Sequence, residues 1–229
     1  MNYVYSVRFQ PFSNENLEIL RWLIENTGSN DQIVIGIVNP NPQYIDNKDD
    51  PLNWKRFSTR FNPLSYWERY KTIELVIHSY GWQNKIAGIV PMPRPSVNMK
   101  CAENYLPPKN NRKMCVPIIL RSAIEDTKTW GLRQQGETVF EIPAHSFLPD
   151  SLKIISPELI TCLISLHYNG WDKFVPKAIH EYIKSPSVDI ERRCFDYYEA
   201  KTELEKVYVQ MPTHLQGIMK EQFGQFLNH

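Results

Sequence analysis

Residues 7–20 of the chain read VRFQPFSNENLEIL. The residues that lead into this stretch, 3–8, alternate and are β-branched or aromatic, the pattern of a strand. The chain then turns through a proline flanked by two phenylalanines. From Asn14 onward Leu17, Leu20, Leu23 and Ile24 recur at helical spacing, with Gly28 where a helix C-cap falls. Residues 32–38 (QIVIGIV) are a continuous apolar run, as in a strand buried on both faces. Strand, helix and strand in under ~40 residues predict the opening of a parallel α/β sheet. A turn that feeds a helix in this way is a ready anion site, because free N–H groups and the helix dipole converge there. Yet this turn carries no histidine, glycine or lysine.

The rest of the chain extends the same pattern. Residues 39–61 form a long polar loop, of a length that in compact domains marks function or disorder. Asn62-Pro63 is expected to begin a helix, with Leu64, Trp67, Tyr70 and Leu75 in its pattern. Further strands are expected over 85–91, 113–120 and 137–142, and PMPRPS from Pro91 reads as a rigid turn. Further helices are expected over 125–135, ended by Gly136, and over 156–167, with Gly170 beyond it. A short helix follows from Val175-Pro176 to residue 183. Residues 189–227 read as helical and more charged, with a break at Met211-Pro212. The expected architecture is a Rossmann-like parallel sheet in one α/β domain over residues 1–184. A helical C-terminal extension, 185–229, packs on it.

Composition narrows the function classes. The chain has 229 residues, a net charge of +1, 42% hydrophobic and 22% charged residues, with 17 prolines against nine glycines. A near-neutral chain has no global field to draw it to nucleic acid or an anionic membrane. No apolar run approaches the ~20 residues of a membrane span, and MNYVYSVRF lacks the charged leader and apolar core of a secretory signal. Cys101, Cys115, Cys162 and Cys194 form no C-x-x-C pair, so no metal site is expected and isolated thiols fit a reducing compartment. The expectation is a cytoplasmic protein that handles a small molecule, with no nucleic acid and no membrane as partner. A homo-oligomer is left open.

Three stretches carry a resemblance. Arg8, Phe9, Gln10, Pro11 and Phe12 match in order the G-R-F-Q-P-F-H-x-G-H that follows the first strand of archaeal-type nicotinamide-nucleotide adenylyltransferases. NPLSYWERY (residues 62–70) resembles the N-P-F-T-x-x-E-R of that family, keeping Asn62, Pro63, Glu68 and Arg69. Residues 155–183 resemble its I-S-G-T-E-I-R and W-x-x-L-V-P-x-x-V-x-E-Y-I, keeping Ile155, Ser156, Ile160, Trp171, Val175, Pro176, Glu181, Tyr182 and Ile183. The chain thus resembles the nucleotidyltransferase superfamily up to about residue 184, outside residues 94–152. The resemblance implies a ligand site of Arg8, Phe9, Gln10, Pro11, Phe12, Ser13, Asn16, Arg69, Ser156 and Thr161. It also implies ATP or CTP as donor, Mg2+ with the triphosphate, and an acceptor bearing a phosphate or acid.

The departures fall where that chemistry sits. Ser13, Glu15 and Asn16 correspond to the family's histidine, glycine and second histidine, while Glu158 and Thr161 correspond to its threonine and arginine. Nucleotidyl transfer needs positioning and neutralisation of growing oxyanion charge. Ser13 and Asn16 retain one neutral hydrogen bond each, about half as strong as a charge-assisted one. Glu15 adds a carboxylate that competes with an anionic ligand for the helix dipole.

Each feature also has a bland reading. Ser13 is then an N-cap and Glu15 a first-turn acid. Arg8 pairs with an acid across the sheet, Arg69 with one on its own helix, and Phe9 and Phe12 are core. Trp171 packs a helix junction. His167 and His180 are solvated on helix surfaces.

Three functions follow. The first is a divergent nucleotidyltransferase with basic help from Lys55, Arg56, Arg60, Arg94 or Arg69. The second is a repurposed fold in which Glu15, Glu158, or a tyrosine or histidine does other acid–base chemistry, with Ser13, Asn16 and Glu15 the catalytic candidates. The third is a binding module that uses its C-terminal helices. The direction in which Glu15 points discriminates between them.

Overall fold

The computed structural model describes residues 1–39, 62–92, 102–120, 122–194 and 197–227. Lys55, Arg56, Arg60 and Arg94 lie outside the described residues, as do most of the long polar loop and the turn after Pro91. Five parallel strands form one sheet: β1 (Asn2–Val7), β2 (Gln32–Val38), β3 (Ile86–Met92), β4 (Arg112–Pro117) and β5 (Val139–Ile142), in the order β3-β2-β1-β4-β5. Tyr5 of β1 stands beside Ile35 of β2 and Cys115 of β4. The sheet is thus the Rossmann-like parallel α/β arrangement that the alternating pattern predicts.

Helix α1 (Asn14–Asn26) joins β1 to β2, and α2 (Tyr66–Ser79) precedes β3. Both pack on the face that carries Tyr3, Tyr5, Ile33, Ile35 and Cys115, through Leu17, Leu20, Leu23, Ile73 and Val76. Helix α3 (Ala123–Gln134) joins β4 to β5 and sets Leu132 against Val4, Val34 and Met114 on the other face. The chain winds away from β1 in two directions, so the ends of β1 and β4 form the switch point where such sheets bind ligands.

The first face carries most of the core. After β5 come two single-turn helices, α4 (Ala144–Phe147) and α5 (Asp150–Lys153), and then α6 (Pro157–Ser165). Short α7 (His180–Lys184) and α8 (Ile190–Arg193) lead to a hairpin of α9 (Tyr197–Gln210) and α10 (Thr213–Phe223). Ala200, Leu204, Leu215, Met219 and Phe223 join one apolar cluster with Leu159, Ile160 and Leu163 of α6. The helical break expected at Met211-Pro212 is the α9–α10 turn. At the opposite end of the sheet, Arg112 and Glu137 form a buried ion pair of 2.9 Å that ties the starts of β4 and β5.

Element starts depart from the sequence expectation for one physical reason. Helix α2 begins at Tyr66, several residues after Asn62-Pro63, because Ser65 caps it: its Oγ accepts the Glu68 N–H at 3.3 Å, and Glu68 Oε2 accepts the Ser65 N–H at 2.7 Å. Helix α3 begins at Ala123 rather than residue 125 because Ser122 and Glu125 form the same reciprocal cap. Among the described residues, no helix is long and apolar enough to cross a membrane.

Candidate functional site

The opening motif splits into two parts that face different ways. Phe9, Gln10, Pro11 and Phe12 are all buried. Phe9, at a left-handed φ of 52°, stacks on Phe12 with centroids 5.2 Å apart and meets Tyr5 edge-on. Gln10 reaches across to the chain just before α2. Its Nε2 donates to Leu64 O at 2.8 Å, and its Oε1 accepts the Leu64 N–H at 2.9 Å. The side-chain amide pairs with the backbone as a strand neighbour would.

Arg69 completes this frame. Its Nη1 donates to Arg8 O at 2.9 Å and to Val38 O at 2.7 Å, and its Nη2 to Asn39 O at 2.6 Å. The residue is 0% exposed. Burial, then the neighbouring Arg8 cation, push the guanidinium down to about 10, which leaves it charged at neutral pH. The pairing of Arg69 with an acid on its own helix does not occur. Its cation binds the carbonyls just past β1 and at the end of β2.

Ser13 and Asn16 occupy the two histidine positions of the resemblance. They form a capping box: Ser13 Oγ accepts the Asn16 N–H at 3.1 Å, and Asn16 Oδ1 accepts the Ser13 N–H at 3.2 Å. Asn16 Nδ2 then donates to Tyr5 Oη at 3.3 Å. Both residues are buried. The Asn16 amide donor is thus engaged inside the turn, and Ser13 Oγ serves there as an acceptor. Thr161, at the arginine position, is buried within α6, where its hydroxyl donates to Glu158 O at 2.9 Å. Ser156 caps α6 and accepts the Leu159 N–H at 3.1 Å.

Arg8 and Glu158 form an ion pair between the β1 turn and the first turn of α6. The acid that meets Arg8 thus lies on a helix, not across the sheet. Its carboxylate ties together the β1 turn and the first turn of α6. Trp171 is buried at the junction before α7 under the Lys184 ammonium, 5.4 Å from the ring centroid. His167 is exposed just past α6, and His180 contacts Val175 O at 3.1 Å.

Glu15 lies in the first turn of α1, at the β1/β4 end of the sheet. Its carboxyl is pushed up to about 8, first by burial and then by the Glu125 carboxylate. The residue as a whole is half-buried, so the crowding falls on its head group at a mouth that solvent still reaches. Tyr5, on the floor beneath, has its phenol raised by its own burial and then by Glu15. Cys115, beside Tyr5 on β4, is pushed up to about 12 by burial and is an inert thiol at neutral pH.

Glu125 forms the opposite wall. Its Oε1 accepts the N–H groups of Ile119 at 2.7 Å and Leu120 at 3.1 Å, and its Oε2 that of Ser122 at 2.7 Å. Lys128, one turn along α3, is pushed down by burial while Cys115 and Glu125 hold it up. Two first-turn carboxyls, one on α1 and one on α3, therefore act on one another's charge at the β1/β4 end of the sheet. The sequence announced the Ser122–Glu125 cap by its S-x-x-E spacing. That Glu125 confronts Glu15 depends on β4 lying next to β1, which no local pattern specifies.

Among the described residues, no group of three or more His, Cys, Asp or Glu comes together to hold a metal ion.

No protein-family model matches the chain, and no curated protein sequence matches it. Among solved structures, it is similar to a bifunctional NMN adenylyltransferase/ADP ribose pyrophosphatase from Francisella tularensis, complexed with AMP and a Mn ion. The identity is 13% and the TM-score 0.39, over 92% of this chain and 56% of that one. The chain thus spans little more than half the length of that neighbour. The fold class rests on the chain's own strand order: a five-stranded, parallel, Rossmann-like α/β sheet with its candidate site at the β1/β4 switch point.

Proposed function

We propose that this chain is a nucleotidyltransferase-like fold recast for different small-molecule chemistry, with Glu15 as the acid–base group of the β1/β4 crevice. The observation that carries this reading is the placing of two acids, Glu15 and Glu125, in the first turns of the two helices that follow β1 and β4, where a triphosphate would need cations. A nucleoside triphosphate brings about four negative charges at neutral pH. In the crevice it meets a fixed carboxylate and a carboxyl that its own approach would keep protonated. Arg8 is paired with Glu158 and Arg69 is bound to carbonyls, so neither guanidinium is free to compensate, and the Lys128 ammonium already lies in the field of Glu125.

A carboxyl that titrates near neutral pH is suited to give and take a proton within one cycle. The ligand that fits is uncharged or carries positive charge near Glu125. Catalysis by Glu15 needs no triphosphate activation.

The test is calorimetric titration with Mg-ATP and Mg-CTP of the unmodified protein and of Glu15→Gly. The expected result is no saturable binding by the unmodified protein and a gain of binding in the variant. Micromolar binding of either nucleotide by the unmodified protein would sink this reading and restore nucleotidyl transfer.

A further inference from the structure

A second hollow lies beyond the crevice, on the side of α3 that faces β5. It has a volume of about 430 Å³ and is lined by Ile118, Asp126, Thr129, Glu141, Pro143 and His145. Neither Glu15 nor any other residue placed in the crevice lines it. The volume is that of a small-molecule pocket. The wall is fixed by β4 and α4: the His145 N–H donates to Ile118 O at 2.7 Å, and its Nδ1 lies 3.2 Å from the same oxygen.

Three observations define what would fit. Asp126 and Glu141 bring two carboxylates to one small volume. Arg133, on the next turns of α3, already binds Glu141 with Nη2 at 2.8 Å, so the pocket holds the chain's own guanidinium at its rim. Thr129 is 5% exposed, and its Oγ1 has no hydrogen-bond partner. A buried hydroxyl in a native wall is ordinarily satisfied, and one left open beside two acids is a place for an N–H donor. Ile118 and Pro143 supply apolar surface for the carbon part of a ligand.

We infer that this hollow is a ligand site for a small organic cation, an ammonium or guanidinium on a short aliphatic stem. The cation sits between Asp126 and Glu141, donates to Thr129 Oγ1, and displaces or shares the carboxylate that Arg133 holds. A lone metal ion is not the occupant, since the acids and His145 do not gather into a coordinating group.

Agmatine, which carries an ammonium and a guanidinium on four carbons, is the probe. Calorimetric titration at low salt should give saturable binding. Asp126→Asn and Thr129→Val should each weaken it about tenfold, the loss of one charge-assisted hydrogen bond. Arg133→Ala should strengthen it by freeing Glu141. Ribose, of similar size and uncharged, should not bind. Glu15→Gln should leave the agmatine affinity unchanged. Asp126 is exposed, so its variant folds even if the buried Thr129 variant does not. Absence of saturable binding, equal affinity in Asp126→Asn, or equal binding of ribose would overturn the assignment. Loss of binding in Glu15→Gln would move the cation to the crevice and overturn it as well.

Discussion

The two sides of β1 treat polar groups in opposite ways. Towards β2, Gln10 and Arg69 are fully buried, and every polar contact described for them ends on backbone. Towards β4, Glu15 has a carboxyl that burial and then the Glu125 charge push up to about 8. One nine-residue run, 8–16, builds both. Its first half is a frame and its second half is the lip of a crevice. The lesson is that one short run can build a rigid frame with its first half and set a titratable group with its second. Gln10 and Arg69 hold strands and loops together, whereas Glu15 brings a carboxyl to the β1/β4 end of the sheet.

The largest test of this contrast is Arg69. Arg69→Met leaves three carbonyl oxygens buried without their donor, and we expect a loss of ~3–5 kcal/mol in urea unfolding. A loss below ~1 kcal/mol would mean that the frame is apolar packing and the guanidinium incidental.

Glu15 should behave in the opposite sense. In the folded chain it keeps its proton up to about pH 8, while its ordinary value is 4.5. Between these values the folded state binds more protons than the unfolded one, so stability falls as pH rises. Glu15→Gln removes that slope. The variant should match the unmodified protein below pH 4.5 and exceed it by ~1–3 kcal/mol above pH 8, a range reduced for solvent at the crevice mouth. Urea midpoints at pH 4.5, 7 and 9 decide it, and parallel curves for the two proteins would place the carboxyl in solvent.

The smallest effect is expected at the Arg8–Glu158 bridge. Both side chains keep substantial exposure, so Glu158→Gln should cost no more than ~1 kcal/mol. Released Arg8 would nevertheless change the crevice field. Anion binding that appears in this variant at low salt and vanishes at high salt would sharpen the contrast, because one carboxylate would then be shown to hold Arg8 away from anions.

Much of the frame was legible because it is periodic. Alternation gave β1, the apolar run gave β2, and helical spacing gave α1. The start of α2 was misplaced because Pro63 is a strong local signal, whereas Ser65 and Glu68 act only as a reciprocal pair. The site was less legible. Arg69 has the sequence context of a ligand-binding or surface arginine, and nothing local announces that three carbonyls from β1 and β2 surround it. Glu125 fared worse: its opposition to Glu15 spans more than a hundred residues and arises only when β4 takes its place beside β1.

Gln10 carries one last consequence. Leu64 lies outside every helix and strand, yet its amide proton is held by a buried side chain 54 residues away. Such a proton exchanges with solvent only when the clamp opens. The Leu64 amide is therefore a built-in clock for the parting of β1 from the approach to α2. Its exchange rate would time that event separately from global unfolding.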